Sequence, residues 1–460
     1  MNSYFLFVSL AGNQTAFFEA LVRGLASGGI AGGVVCFHER SHEHLRRVGV
    51  ESWNAIRMAE EASPEVDWAV YGIDNAQFWI GHEKAAFELR ASDPLLVKFA
   101  RYLQVAERIL RQLLGRGVRP VVFQELGGFL ACLSVFFAAR RLGIDHWFVE
   151  PSFFRGRVFF TRNTIRAPRV PGPAAMEPSP EVLRYLERVS VRREAVIPVK
   201  DRHHYRDARR KILDRRNWVR LAEKLRDKYL LGKREEFEHV GGHVQRHVRM
   251  AINSRVLRRW HRALTGVERF VYYPLHVPAD VALTLRSPEW LDQYALIDCL
   301  CRSVPPGYRV AIKEHPALVG ALSVGRLREL LRRHDNLVLL DPSLNNYEVL
   351  ERAAAVVTVN SKAGAEALLK GRPVLVLGDA FYRDCSLVRR ADRWPWLPEA
   401  VTGLLRDPPR VPEEDVPRYF QDVWNASRPG EIYDASTQNI REFVRSMLDV
   451  VRPQEENILQ

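Results

Sequence analysis

The sequence has little cysteine, and its five residues (Cys36, Cys132, Cys299, Cys301 and Cys385) are odd in number, scattered and without a CxxC pair. That argues against a disulfide framework and against a zinc site, and it points to a reducing compartment. No run reaches the ~18 apolar residues of a membrane span; the longest approach, Phe129 to Ala139, contains Ser134 and ends at Arg140-Arg141. The opening residues, Met1 to Val8, lack the basic start and small-residue cleavage site of a secretion signal and are predicted to form a strand. The expectation is therefore a cytoplasmic protein whose membrane contact is peripheral. Solenoid-period repeats and low-complexity tracts are absent as well. With 47% apolar and 27% charged residues, a chain of 460 is long enough for two or three packed domains.

What is present in excess is positive charge, and it is unevenly placed. The formal net charge is +13, yet from Lys200 to Arg262 there are 20 Lys or Arg against 8 Asp or Glu, so this segment carries almost all of it. An anionic membrane surface, an acidic polymer and nucleic acid are each compatible with such a patch, as is a solvated helical face. Nucleic acid fits least, because no zinc-finger spacing or aromatic RNA-binding signature accompanies the charge.

Residues 4–150 alternate short apolar runs (Phe5 to Val8, Gly33 to Phe37, Val118 to Phe123, His146 to Val149) with amphipathic stretches, the pattern of a parallel sheet with crossover helices. Prolines at 168, 171, 173, 178 and 180 make 165–182 a loop. The basic stretch from about 183 to 262 is predicted mostly helical, broken near Gly241-Gly242. A second alternating region begins at Phe270 and runs through Val374 to Leu377. The fold class is thus α/β, with one Rossmann-like domain over 1–165 and a linker with the basic helical segment over 166–265. A second Rossmann-like domain covers 266–414, and a helical tail 415–460. A cleft between two such sheets, beyond the carboxyl ends of their strands, is where a ligand is expected.

Four stretches carry chemistry. In the run from Val359 to Val374, a strand ends at Asn360, Ser361 is placed to cap a helix opening with Lys362, and Gly364 permits close approach to its first turn. Free N–H groups and the helix dipole suit a phosphate there, and Glu366 is placed to accept from ribose hydroxyls; the same stretch also suits an ordinary capped crossover helix. Lys313-Glu314-His315-Pro316 follows a strand, so Lys313 and His315 leave on one side as cationic donors. After the strand at Phe270, His276 and Asp280 are predicted to face the cleft, the carboxylate serving as nucleophile, base or cap. From the first domain, Glu150 is predicted to confront Asp280, with Arg155 nearby and Glu125, in Gln124-Glu125-Leu126-Gly127-Gly128, in reserve. Two opposed carboxylates are the minimal equipment for glycosyl chemistry.

These residues resemble the capsule polysaccharide biosynthesis glycosyltransferases that use CMP-Kdo. The Lys-x-His-Pro motif is matched at 313–316. The Ser-x-x-Gly-x-Glu-Ala-Leu-x-x-Gly-x-Pro-Val motif is matched from Ser361 to Val374, followed by Gly378-Asp379-Ala380-Phe381-Tyr382. The family's Glu-Asp-Gly-Phe-x-Arg motif is matched only partly by Glu150-Pro151-Ser152-Phe153-Phe154-Arg155, which lacks its Asp and Gly, and Arg383-Asp384-Cys385 replaces its Gly-Trp-Gly. The resemblance implies a GT-B fold, with 1–165 on the acceptor side and 266–414 binding the nucleotide sugar, and transfer of Kdo onto a surface-polysaccharide or glycolipid acceptor. Lys313, His315, Asn360, Ser361, Lys362, Gly364 and Glu366 would hold CMP, with no metal or other cofactor. It also implies Asp280 as nucleophile of a retaining reaction and Glu150 as base. Inverting transfer of another CMP-activated nonulosonate, with Glu150 as base and Asp280 structural, stays open, as does a non-catalytic scaffold of capsule assembly.

Overall fold

Strands of this chain bury both faces, so their side chains divide between two cores with a period of two. In β1 (Ser3–Ser9), Tyr4, Leu6 and Val8 enter one core while Phe5 and Phe7 enter another. The computed structural model describes residues 2–174, 176–193, 219, 222, 224–237 and 240–451. The first sheet continues with β2 (Ala31–Cys36), β3 (Ser52–Asn54), β4 (Arg119–Glu125), β5 (Asp145–Pro151) and β6 (Arg157–Arg162). The second comprises β7 (His261–Arg262), β8 (Phe270–Pro274), β9 (Arg309–Lys313), β10 (Leu337–Leu340), β11 (Ala355–Thr358), β12 (Val374–Val376) and β13 (Arg389–Arg390). A last strand, β14 (Arg428–Pro429), returns to the first sheet, whose order is β14-β6-β5-β4-β1-β2-β3; the second runs β13-β12-β11-β8-β9-β10-β7. All pairings are parallel except those of β6 with β5 and β14. Two mainly parallel sheets with crossover helices are the α/β, GT-B arrangement.

The strand order reverses at β1, which lies between β4 and β2, and at β8, between β11 and β9. Loops leaving neighbouring strands diverge at such points and leave a crevice above the strand ends. The chain returns to its start through the Thr437–Val451 helix, whose Phe443 packs edge-on against Phe17 at 5.3 Å between ring centroids.

The basic middle segment breaks at a different place from the one its sequence suggests. Gly241 and Gly242 lie in the first turn of the Val240–Leu257 helix, whereas 231–237 is non-helical and lies against the first domain. Its charges dock there: Arg40 pairs with Asp227, Lys233 with Glu43, and Arg234 with Glu60 at 2.6 Å. Glu236 is fully buried and accepts from Lys98 at 2.9 Å and from the Tyr102 hydroxyl at 3.0 Å. Part of the excess charge thus serves assembly of the chain with itself.

Candidate functional site

β11 ends at Thr358, and the following turn sets the N-terminus of the Lys362–Leu369 helix against the crevice. Ser361 has extended backbone, and its hydroxyl accepts from Ala363 N at 3.2 Å, so it is the helix cap. Gly364 is a correction to the sequence reading. A Cβ there would collide with the Tyr382 ring and hydroxyl, so the missing side chain makes room for Tyr382, which donates to the Ser361 carbonyl, rather than for a ligand. Asn360 is anchored through its side-chain amide, which donates to the Ala282 carbonyl at 2.5 Å, and through its backbone N–H, which donates to His276 Nε2 at 3.3 Å. Glu366 accepts from Asn346 Nδ2 at 2.7 Å. Lys362 reaches the first domain, donating to the Phe153 carbonyl at 3.0 Å, and burial lowers its pKa.

β9 delivers Lys313 and His315. Lys313 is buried and donates to the Leu344 carbonyl at 2.8 Å. Burial pushes its pKa down to about 8, against the pull of Glu366 and Asp341. His315 caps the short 316–318 turn by accepting from Ala317 N at 3.2 Å, and burial lowers its pKa too. On β8's side, burial holds His276 down to about 4, so it is neutral, and its Nε2 accepts from Asn360. His276, His315 and the Ser361 turn therefore meet at the carboxyl ends of three adjacent strands.

Asp280 is exposed above this edge and caps the Val281–Thr284 turn, Oδ1 accepting from Ala282 N at 3.0 Å. Its charge is felt by His82, His276, His315 and Arg286. Across the cleft, Glu150 does not face Asp280 as a free carboxylate. Both of its oxygens accept from Arg286, at 2.6 and 2.9 Å, and the guanidinium is almost wholly buried. Both oxygens are engaged by Arg286, so Glu150 braces the Asp280 turn from the first domain instead of confronting Asp280 as a free base. Arg155 projects its side chain to solvent at the β5–β6 turn, its backbone N–H donating to the Tyr185 hydroxyl at 2.9 Å. Glu125 accepts from the Tyr433 hydroxyl, which is also bonded by Gln14 at 2.7 Å, so it lies at the end of β4, one strand from β5.

Residues 184–391 match the family model described as capsule polysaccharide biosynthesis protein. The match covers just under half of the chain. Protein FixF of Sinorhizobium fredii (strain NBRC 101917 / NGR234) is 30% identical over 178 residues, 38% of this chain and 42% of that protein, so the match spans less than half of the relative's length. Among solved structures, KpsC of Thermosulfurimonas dismutans, a beta Kdo 2,7 transferase, aligns with a TM-score of 0.37 and 16% identity, covering 82% of this chain and 97% of that one. MurG of Acinetobacter baumannii aligns with a TM-score of 0.31 and 12% identity over 96% and 98%.

The matched segment supplies the β8, β9 and β11 edge together with Arg286 and Ser287, whereas Glu150 and His82 come from outside it. Three residues of the site escape sequence reasoning. Arg286, six residues after Asp280, couples to Glu150, and no motif marks it. His82, on the Gly81–Phe87 helix, is buried against Phe129 and Gly128 and shares a 2.8 Å bond with the Thr284 hydroxyl, which donates to the Asp280 carbonyl at 3.0 Å. Burial pushes its pKa down to about 4. Ser287 accepts from Asp379 N at 3.0 Å and leaves no room for a side chain on Gly378, which accounts for that glycine.

Proposed function

We propose that the chain is a glycosyltransferase that moves Kdo from CMP-Kdo onto a surface-polysaccharide or glycolipid acceptor. The observation that supports this best is the convergence of the motif residues His315 and Ser361, with His276 and Asn360 between them, on one cleft edge beside the exposed carboxylate of Asp280. In the retaining reading, Asp280 Oδ2 attacks the anomeric carbon, the bond to the CMP phosphate breaks with its electron pair on the phosphate oxygen, and a sugar ester forms on Asp280. An acceptor hydroxyl then displaces Asp280. Glu125 is the carboxylate on the first domain's edge assigned to take its proton, since Glu150 is held by Arg286. The departing phosphate is received at the N-terminus of the Lys362–Leu369 helix, where the helix dipole favours negative charge, and by His315, with Lys313 two residues back. CMP leaves as an already acidic phosphate, so its departure requires no general acid.

Losing one hydrogen bond to a charged group costs about 1.5–3 kcal/mol. His315→Ala and Ser361→Ala are therefore each expected to weaken CMP binding about tenfold or more, measured by calorimetry. The serine variant is also expected to lose about 1 kcal/mol of helix capping. Unchanged CMP affinity in both, with circular dichroism intact, removes the clamp assignment.

The acceptor side brings in the basic segment. No described helix is long and apolar enough to cross a membrane. Arg209, Arg210, Lys211, Arg215 and Arg216, the densest cationic run, lie outside the described residues. Further along the sequence, Tyr229, Leu230 and Leu231 are exposed at 73%, 78% and 52%, next to Arg226 and Lys228. Apolar side chains rimmed by cations suit an anionic leaflet, where each Lys or Arg adds roughly 1 kcal/mol. We expect sedimentation with anionic vesicles that falls as salt rises and is weakened by Tyr229→Ser with Leu230→Ser. Equal binding to neutral vesicles sinks the membrane partner.

A further inference from the structure

The Lys313-Glu314-His315 stretch contains a buried carboxylate that the clamp does not use. Alternation along the strand end sends Glu314 away from its two neighbours, toward a pocket beneath the 316–322 loop. Leu275, Pro278, Ile297, Leu318 and Leu322 form its apolar walls, and His276 and His315 stand at the end that joins the phosphate-facing edge. Glu314 also lines the pocket and is 2% exposed. Its Oε1 accepts from Gly320 N at 3.0 Å and Leu322 N at 3.3 Å, whereas Oε2 is buried with no hydrogen-bond partner. The loop that fixes this carboxyl is itself held from outside: Asn253 Nδ2 donates to the Gly320 and Leu322 carbonyls, both at 3.2 Å. Gly320 has φ +90° and its Cα lies against the Met250 carbonyl, so no other residue fits there without a shift.

A buried acceptor left unpaired is unfavourable, and an N–H that reaches it recovers the lost bond. A mainly apolar pocket lined by a carboxyl with one unpaired oxygen, and joined through His276 and His315 to the edge assigned to the phosphate, suits a nucleobase. We propose that Glu314 reads the base of the donor nucleotide, Oε2 accepting from the 4-amino group of a cytosine seated in this pocket, and thereby selects cytidine over uridine nucleotides. The inference rests on the CMP-donor reading above and adds a residue that enforces it. Uracil presents O4 where cytosine presents the amine. Burial pushes the Glu314 carboxyl up to about 7, so above that pH this oxygen would face an ionised Oε2 with no proton between them, while Oε1 is fixed by two backbone N–H groups and cannot exchange roles. Sites that hydrogen-bond a polar substrate group reject analogues that cannot pair with it far better than sites that merely enclose it.

The test is calorimetric titration of the full chain with CMP and with UMP at a pH well above 7, where Glu314 is ionised. The wild type is expected to bind CMP at least tenfold more tightly than UMP. In Glu314→Gln the amide oxygen keeps the two backbone bonds, so the NH₂ group faces the pocket and suits uracil O4. The CMP-to-UMP ratio is then expected to fall at least tenfold. Ala321→Phe, which fills the pocket, is expected to weaken CMP at least tenfold, and it decides the matter should Glu314→Gln fail to fold. An unchanged ratio in Glu314→Gln, or unchanged CMP affinity in Ala321→Phe, overturns the base reading while leaving the CMP donor standing. A wild type that binds UMP as tightly as CMP overturns it equally. Failure of the wild type to bind CMP at all removes both readings.

Discussion

Asp280→Asn is expected to reduce transfer about 10⁴-fold or more, the scale of losing one member of a nucleophilic constellation, while folding and CMP affinity stay nearly unchanged. The substitution is discriminating because of what Asp280 does in the structure. Its Oδ1 accepts from Ala282 N and caps the Val281–Thr284 turn, and Asn caps helices about as well as Asp. A merely structural Asp280 therefore tolerates Asn, whereas a nucleophile does not, since the amide cannot form the sugar ester. The second readout is direct. Wild type incubated with CMP-Kdo alone should gain one sugar-acid mass on the peptide carrying Asp280, and the Asn variant should not. Robust transfer by Asp280→Asn would falsify the nucleophile role and return the residue to capping.

The residues around Asp280 also show how far the chain could be understood before its structure. Both sheets were legible because their strands are short apolar runs buried on both faces, a pattern that needs no knowledge of what packs on them. The Ser361 cap was legible for the same reason: the hydroxyl and the N–H it satisfies are two residues apart. Gly364 was legible as a necessary glycine but not for its cause, because the group that fills its space, Tyr382, stands 18 residues on. Glu150 was legible as a carboxylate at a strand end. Its partner Arg286 comes 136 residues later, and only the closed arrangement of the two sheets turns a candidate base into half of a buried ion pair. His82 had no local signal at all. A histidine beside a glutamate on a short helix acquires meaning only when Thr284 arrives from the other domain.

Glu83, the neighbour of His82, leads to the largest expected effect on stability. Lys98 Nζ lies 2.7 Å from Glu83 Oε1 and 2.9 Å from Glu236 Oε1, and both carboxylates are essentially unexposed. Glu83 Oε2 also accepts from Leu130 N at 3.1 Å, at the start of the Leu130–Arg141 helix. One ammonium thus joins the His82 helix, the Asp93–Gly115 helix and the 224–237 segment. Burial alone would lower the pKa of Lys98, but Glu236 and Glu83 outweigh it and raise it; burial raises that of Glu236. Lys98→Met preserves much of the side chain's bulk but leaves two buried carboxylates without their cation. Breaking a buried pair in this way costs about 3–5 kcal/mol, a large part of a domain's ordinary ~5–15 kcal/mol. The loss should appear as faster amide exchange over 224–237 and around His82, and as a lower melting temperature. The triple variant with Glu83→Gln and Glu236→Gln, which removes the charges but keeps hydrogen-bonding groups, is expected to recover most of it. The pH dependence has a definite sign. A carboxyl whose pKa is raised in the folded state stabilises that state when protonated, and the contribution is lost as pH rises through the folded-state value. Removing Lys98 raises Glu236 further, so Lys98→Met should regain stability between pH 8 and pH 5, relative to wild type. A variant whose deficit is the same at both pH values, or whose 224–237 amides exchange as slowly as those of wild type, would show that this cation does not hold the segment in place.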